Sequence, residues 1–152
     1  MSTYEIDFAA HPEAYRIQPN EKGVFKVEPY KSALLGHWQF KDEAAAQAAV
    51  RALCKRYAVY RRRQDAVGMD MVRKYLRMGF TRAMRYAKYP GGQKYRDDGT
   101  ERDPQQWADA AKRRAAVVFR EAWQAVLDDD AYQERKAHHM EHVYDANVSP
   151  MT

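Results

Sequence analysis

The chain has 152 residues, of which 45% are hydrophobic and 31% are charged, and its net charge is +5. This balance is typical of a folded globular domain and excludes an intrinsically disordered chain. The single cysteine, Cys54, excludes an intramolecular disulfide and favours a reducing compartment, and we expect it to be a small apolar side chain within a helix.

The positive charge is concentrated in the middle of the chain. Residues 51–96 contain fourteen Lys and Arg residues but only two acids, Asp65 and Asp70. The rest of the chain has twelve bases and nineteen acids, so the two parts carry charges of +12 and −7. This asymmetry predicts a polyanionic partner, although the acidic remainder could instead neutralise the basic region within the fold.

The N-terminal sequence has acids where a signal peptide has positive charge, and no apolar segment follows them. No window of the sequence is apolar enough to span a membrane. We therefore expect a soluble cytoplasmic protein that makes no membrane contact.

The first 41 residues predict an irregular layer with a small two-stranded β element. Alternating residues at 24–28, after Gly23, predict a short strand that Pro29 ends. Since one strand is not stable alone, residues 4–8 are the expected partner. The apolar and aromatic residues at 32–40 are expected to pack this layer onto the helices.

Two long helices are predicted next. Asp42 is the expected N-cap of a helix that extends to about Gln64, because its apolar residues recur every three or four positions. A second helix is predicted from about Met69 to Lys88, where Pro90 and two glycines follow.

Two further helices complete the predicted core. Asp103 is the expected N-cap of a third helix, with Gln106 in the capping-box position and Trp107 on its apolar stripe. This helix should end near Leu127, and three aspartates should then begin a last, polar helix that extends to about His142.

The predicted fold class is therefore α+β and mainly helical, with three or four helices packed against the small N-terminal β element. We expect one domain over residues 1–152, made of an N-terminal layer (1–41), a helical core (42–143) and a tail (144–152).

The second predicted helix combines cations and tyrosines at helical spacing. Lys74, Arg77, Thr81, Arg85 and Lys88 follow steps of three and four residues, which predicts a line of positive charge on one side. Arginine offers a planar fork to phosphate, and tyrosine can stack on a base. We predict non-enzymatic binding of nucleic acid or another polyphosphate. The predicted contact residues are Arg61, Arg62, Arg63, Arg73, Lys74, Tyr75, Arg77, Arg82, Arg85, Tyr86, Lys88 and Lys94.

Two other functions stay open at this point. The basic line could bind an acidic protein partner, including a second copy of this chain. Alternatively, a small enzyme for a phosphorylated or nucleotide substrate would need the two catalytic candidates, His37 and Asp70, to meet Arg77 or Arg82 in one pocket.

No motif of the sequence indicates a cofactor or a metal. There is no phosphate loop, dinucleotide fingerprint or serine-nucleophile motif, so we expect no cofactor. His138 and His142 are four residues apart. In helical zinc motifs a glutamate directly follows the first histidine, whereas Glu141 directly precedes the second one. We therefore expect no metal site.

Three segments resemble the hallmark sequences of a family of small bacterial and bacteriophage proteins that is known only as a domain of unknown function. They are GVFKVEPYKSALLGHWQFK, VGMDMVRKYLRMGFTRAMRYA and GGQKY, which include the EPYKS, GMDM and MGFTRA runs. The resemblance covers the chain from about Tyr4 into the 130s. It implies a bacterial or phage cytosolic protein and gives no residue a role.

Overall fold

The computed structural model describes residues 5–105 and 108–151 of the chain. Within these residues there are five α-helices: α1 (Tyr30–Leu34), α2 (Glu43–Arg62), α3 (Ala66–Lys88), α4 (Ala110–Leu127) and α5 (Asp130–His138). Short 3₁₀ turns lie at Pro12–Ala14, Leu35–His37 and Pro90–Gly92, and a π-helical turn at His139–Val143 continues α5.

Helix α3 is the centre of the fold, and it packs against α1, α2, α4 and α5. Residues 67–76 are buried on every side of the helix. Glycine allows the neighbouring helices to approach closely: a Cβ atom on Gly68 would lie 2.5 Å from the Tyr60 ring, and one on Gly79 would lie 2.3 Å from the Phe119 ring. The first half of α3 is therefore core on all faces and not an amphipathic surface.

Each of the four longer helices begins with an aspartate N-cap. The carboxylates of Asp42, Asp65, Asp109 and Asp129 accept hydrogen bonds from main-chain N–H groups in the first turns of α2, α3, α4 and α5. Such caps satisfy amide groups that have no partner inside the helix. The predicted cap at Asp42 is confirmed. Asp65 caps α3, which begins at Ala66, three residues before the predicted Met69.

The prediction of a two-stranded β element, and with it the α+β class, is wrong for the described residues, which are mainly helical and contain no strand. Residues 22–26 form turns, in which the Val27 amide donates to the Gly23 carbonyl oxygen at 2.9 Å. Val24 and Val27 are both buried although they are three residues apart, whereas Phe25 is exposed. Burial every third residue suits a turn, and a strand would bury every second one. Only an isolated bridge joins Asp7 to residue 28.

The predicted start of the third helix is also wrong, because α4 begins after Asp109 and not after Asp103. The intervening segment donates hydrogen bonds to the last carbonyl groups of α3. The Gln105 amide donates to the Lys88 carbonyl oxygen at 2.8 Å, and the Asp109 amide donates to the carbonyl oxygen of residue 87 at 3.3 Å. Residues 102–105 are therefore not helical. The predicted roles of Gln106 and Trp107 lie outside the described residues.

The segment expected to be a tail returns to the N-terminal layer. The Asp145 amide donates to the Glu13 carbonyl oxygen at 2.9 Å, the Ser149 hydroxyl donates to the Ala14 carbonyl oxygen, and Met151 is buried. No helix in the described part of the chain has the length and apolar character needed to cross a membrane.

Candidate functional site

A buried group of charged and hydroxyl side chains surrounds Asp70 on α3. The Asp70 carboxylate accepts hydrogen bonds from the Tyr15 hydroxyl at 2.5 Å and the Tyr132 hydroxyl at 2.6 Å. The Arg73 guanidinium donates to it at 2.7 Å, and the Lys74 ammonium lies 3.8 Å away. Burial alone would raise the pKa of Asp70, but Arg73 and Lys74 outweigh it and hold that pKa below its usual value. Burial raises the pKa of both tyrosines, so near neutral pH this group is a carboxylate with two hydroxyl donors.

The cations of this group also attach the N-terminal layer to α3. Arg73 donates to the Gln18 carbonyl oxygen at 2.6 Å, and Lys74 donates to the Lys22 carbonyl oxygen at the same distance. The Tyr75 hydroxyl donates to a third main-chain carbonyl of the layer. Burial lowers the pKa of Lys74 to about 8, against the opposing effect of Asp70.

Three residues of the predicted basic surface are therefore inside the protein. Arg73 is 3% exposed, and Lys74 and Tyr75 are completely buried, so the prediction that they face a ligand on the surface is wrong. The signal was present in the sequence: one acid, Asp70, stands three and four residues before two bases within an apolar stretch. That spacing allows an ion pair on one helical face, and buried charges are almost always paired.

The two catalytic candidates do not meet. Asp70 has no exposed surface, whereas His37 is exposed and lines a groove of about 460 Å³ with Arg51 and Lys55. Arg82 lines a different groove. The convergence that an enzyme with these residues would require is absent from the described part of the chain.

The arginines at the end of α2 have separate surroundings. Arg61 donates to the Asp129 carboxylate at 2.9 Å, and the Tyr57 hydroxyl donates to the same group at 2.5 Å. This contact connects α2 to the N-cap of α5. Arg62 and Arg63 are exposed and have no ion pair within the described residues.

Four of the predicted residues share one groove at the carboxyl end of α3. This surface, which we name the basic groove, has cations at Arg82, Arg85, Lys88 and Lys94 and a volume of about 440 Å³. None of the described residues that line it is acidic. The remaining lining residues are Phe80, Thr81, Met84 and Tyr89.

A turn with two glycines places Lys94 beside the last turns of α3. Gly91 and Gly92 have φ angles of 60° and 73°, which favour glycine over residues with a Cβ atom. The Arg85 guanidinium donates to the Gly92 carbonyl oxygen at 2.8 Å, which connects the turn to the helix. The chain then continues to Lys94, whose side chain lines the same groove as Lys88.

The charge of the basic groove is only weakly compensated. The Lys94 ammonium lies 3.5 Å from the Glu101 carboxylate, but both side chains are solvent-exposed, and such surface pairs contribute about 0–1 kcal/mol. Arg82 and Lys88 have no ion pair in the described residues. The helix dipole favours cations in the last turn of α3 by about 0.3–1 kcal/mol each. It does not explain Arg82, which lies before that turn, or Lys94, which lies after the helix.

Arg77 and Tyr86, which were predicted to belong to the same surface, have partners of their own. Arg77 lies 3.2 Å from the Glu21 carboxylate of the N-terminal layer. The Tyr86 ring is half-buried, with the Phe40 ring 5.8 Å away and the Lys112 ammonium 5.3 Å away. Neither residue lines the basic groove.

The structure gives no metal-binding or nucleophilic role to the remaining candidates, which are the C-terminal histidines and Cys54. The His138 and His142 rings are 5.3 Å apart, but no three His, Cys, Asp or Glu side chains in the described ranges are grouped so as to hold a metal. Cys54 lies on a helix, α2, as predicted, but it is exposed and does not act as the small apolar filler that we expected. Partial burial raises the pKa of its thiol, which disfavours the reactive thiolate.

Comparison with known proteins gave one result. Neither the curated proteins nor the solved structures contain a match to this chain. A family model described as a domain of unknown function (DUF4385) matches residues 1–142, which confirms the resemblance to an uncharacterised family. The chain therefore belongs to the DUF4385 family.

Proposed function

We propose that this protein binds nucleic acid or another polyphosphate through the basic groove. The observation that carries the proposal is the convergence of Arg82, Arg85, Lys88 and Lys94 on one groove without a carboxylate among its described lining residues. Cations on one concave surface focus the electrostatic field and raise the local concentration of anions.

The residue types of the groove suit phosphate oxygens. The guanidinium groups of Arg82 and Arg85 can each present two parallel N–H donors to one phosphate, and Lys88 adds a compact charge. The exposed pair between Lys94 and Glu101 is weak enough for a phosphate to replace the carboxylate.

Carboxylates neutralise only part of the basic region, and for Arg73 and Lys74 the carboxylate is that of Asp70, which belongs to the region itself. Of the fourteen cations in residues 51–96, five lie within ion-pair distance of a carboxylate. The other nine have no such partner among the described residues. Those nine are Arg51, Lys55, Arg56, Arg62, Arg63, Arg82, Arg85, Lys88 and Arg96.

The salt dependence of binding tests this proposal. The affinity of the protein for a labelled oligonucleotide and for inorganic polyphosphate is measured by fluorescence anisotropy and by competition, respectively. If four cations each displace counterions from a single strand, log K should fall against log salt with a slope of about −2.8. The affinity for the oligonucleotide should then fall about 50-fold between about 50 and 200 mM salt.

Two matched double variants locate the site. Arg82→Gln/Lys88→Gln removes two charges from the basic groove and should reduce the slope to about half. Arg114→Gln/Arg120→Gln removes the same charge from exposed positions of α4 that line none of the grooves described here, and it should leave most of the slope intact. Binding that ignores salt, or equal losses in the two variants, would contradict the proposal.

A further inference from the structure

Two exposed aromatic rings lie near cations of the basic groove. Three large apolar side chains in the described part of the chain are strongly exposed: Phe25 (45%), Tyr95 (52%) and Val148 (53%). Tyr95 directly follows Lys94 of the groove, whose ammonium lies 5.8 Å from the centre of the Tyr95 ring. Phe25 lines an adjoining cavity of about 210 Å³, and that cavity shares Arg82 with the groove.

Both rings are carried by ordered turns. Around Phe25, the Val27 amide donates to the Gly23 carbonyl oxygen at 2.9 Å, and buried Lys74 holds the preceding main chain at Lys22. The turn after Tyr95 is closed by a hydrogen bond of 2.7 Å between residues 96 and 100 and by a bridge to residue 101. The rings are therefore exposed on fixed main chain, which lowers the entropy cost of stacking a flat ligand on them.

The carboxylate that lines the cavity with Phe25 does not oppose an anion strongly. Glu21 lines the adjoining cavity, but it lies 3.2 Å from Arg77 and accepts a hydrogen bond from the Thr81 hydroxyl at 2.9 Å. Its charge is thus balanced by a neighbouring cation, and Arg82 adds a second positive charge to that cavity.

We propose that the ligand of the basic groove is single-stranded nucleic acid, whose phosphates lie on Arg82, Arg85 and Lys88 and whose unpaired bases stack on Tyr95 and Phe25. This inference rests on the proposed function and selects one class of polyanion within it. A cationic groove with aromatic stacking surfaces is the combination that holds single strands without sequence preference. A duplex keeps its base faces inside the helix, and inorganic polyphosphate has no faces to stack.

The test compares ligands that differ in bases but share phosphates. We would measure the Kd of the full chain for oligothymidylate and oligouridylate of about twelve nucleotides, a length within the range covered by single-strand modules. A blunt duplex, an abasic strand of the same length and inorganic polyphosphate serve as comparisons. Both single strands with bases should bind about tenfold or more tightly than the abasic strand at equal salt.

Three single variants assign the effect to the rings. Tyr95→Ala and Phe25→Ala should each weaken binding of oligothymidylate about tenfold and change the Kd for polyphosphate less than about twofold. Val148→Ala, which truncates the third exposed apolar side chain, should change neither affinity. Circular dichroism of each variant checks that the helices are intact.

The outcomes separate this inference from the function on which it rests. If oligothymidylate, the abasic strand and polyphosphate bind equally with the expected salt slope, the basic groove binds polyanions but the aromatic contacts are refuted. Tighter binding of the duplex than of the single strand would also overturn the inference. If none of the ligands binds at low salt, both proposals fail. Because the abasic strand is compared on the wild-type protein, the result does not depend on the folding of any variant.

Discussion

Asp70→Asn is the substitution that most directly tests how the N-terminal layer is attached to α3. Asparagine has almost the same shape as aspartate but carries no charge. It would leave the buried Arg73 and Lys74 cations without their common carboxylate, and it would replace one acceptor oxygen of the two tyrosine hydroxyls with a donor. The change therefore removes electrostatic compensation without creating a cavity.

The expected loss of stability is large. Removing one partner of a buried ion pair typically costs about 3–5 kcal/mol, because the remaining charges stay buried and unpaired. A domain of this size has a free energy of unfolding of about 5–15 kcal/mol, so about a fifth or more of it would be lost. The melting temperature should fall by about 6–20 °C.

Urea unfolding followed by circular dichroism gives the measurement, with Asp97→Asn as the control, since Asp97 is an exposed acid and Asp70 a buried one. The pKa of Asp70 is lower in the folded than in the unfolded protein, so its contribution is complete above about pH 4 and is lost as the pH falls through the folded pKa. The difference between wild type and variant should narrow in acid. A loss below about 1 kcal/mol, or a difference that does not change in acid, would refute this account of the network.

Two further predictions follow from the same helix. The pKa of Lys74 is about 8 in the folded protein and about 10.5 in the unfolded chain, so the unfolded state binds more protons between these pH values. The free energy of unfolding should therefore rise with pH in this range, by up to about 1.4 kcal/mol per pH unit. Urea titrations between about pH 8 and 10 should show this rise in the wild type and not in Lys74→Met, and a flat wild-type profile would contradict it. Gly79→Ala places a Cβ atom 2.3 Å from the Phe119 ring. It should lower the free energy of unfolding by about 1–3 kcal/mol, because the overpacking outweighs the gain in helix propensity. Gly36→Ala, which meets no atom within 4 Å, should leave the melting temperature unchanged and serves as its control.

Local chemistry made part of the fold predictable. Asp42 followed by an alanine-rich segment gave the start of α2, and Lys88 before the glycines gave the end of α3, because caps and breakers act within one turn. The end of α4 at Leu127 was predicted because its apolar stripe stops there and three aspartates follow. Asp103 had an equally good local signal, but the amides that follow it are used by the carbonyl groups at the end of α3. A contact between distant segments outweighed a local preference there.

The candidate site was predictable only in its exposed part. Arg82, Arg85, Lys88 and Lys94 were expected on one surface and share one groove. Arg73 and Lys74 have the same residue types and helical spacing, yet they are buried, because main-chain carbonyl groups of residues 18–22 reach them from a part of the chain without periodic pattern. Charge spacing shows which side chains share a helical face, but it does not show what covers that face.

The two halves of helix α3 should therefore differ in how well they tolerate substitutions. Residues 67–76 are buried on all sides, and substitutions there should change whether the protein folds. From residue 82 onward the cations face solvent, so their charges can be exchanged or reversed in a molecule that still folds. A library that varies α3 position by position should select for folding at nearly every position from 67 to 76. Beyond Arg77 it should select for folding only on the buried face, at positions such as Gly79, Ala83 and Ala87, while the exposed cations stay open to engineering of ligand preference.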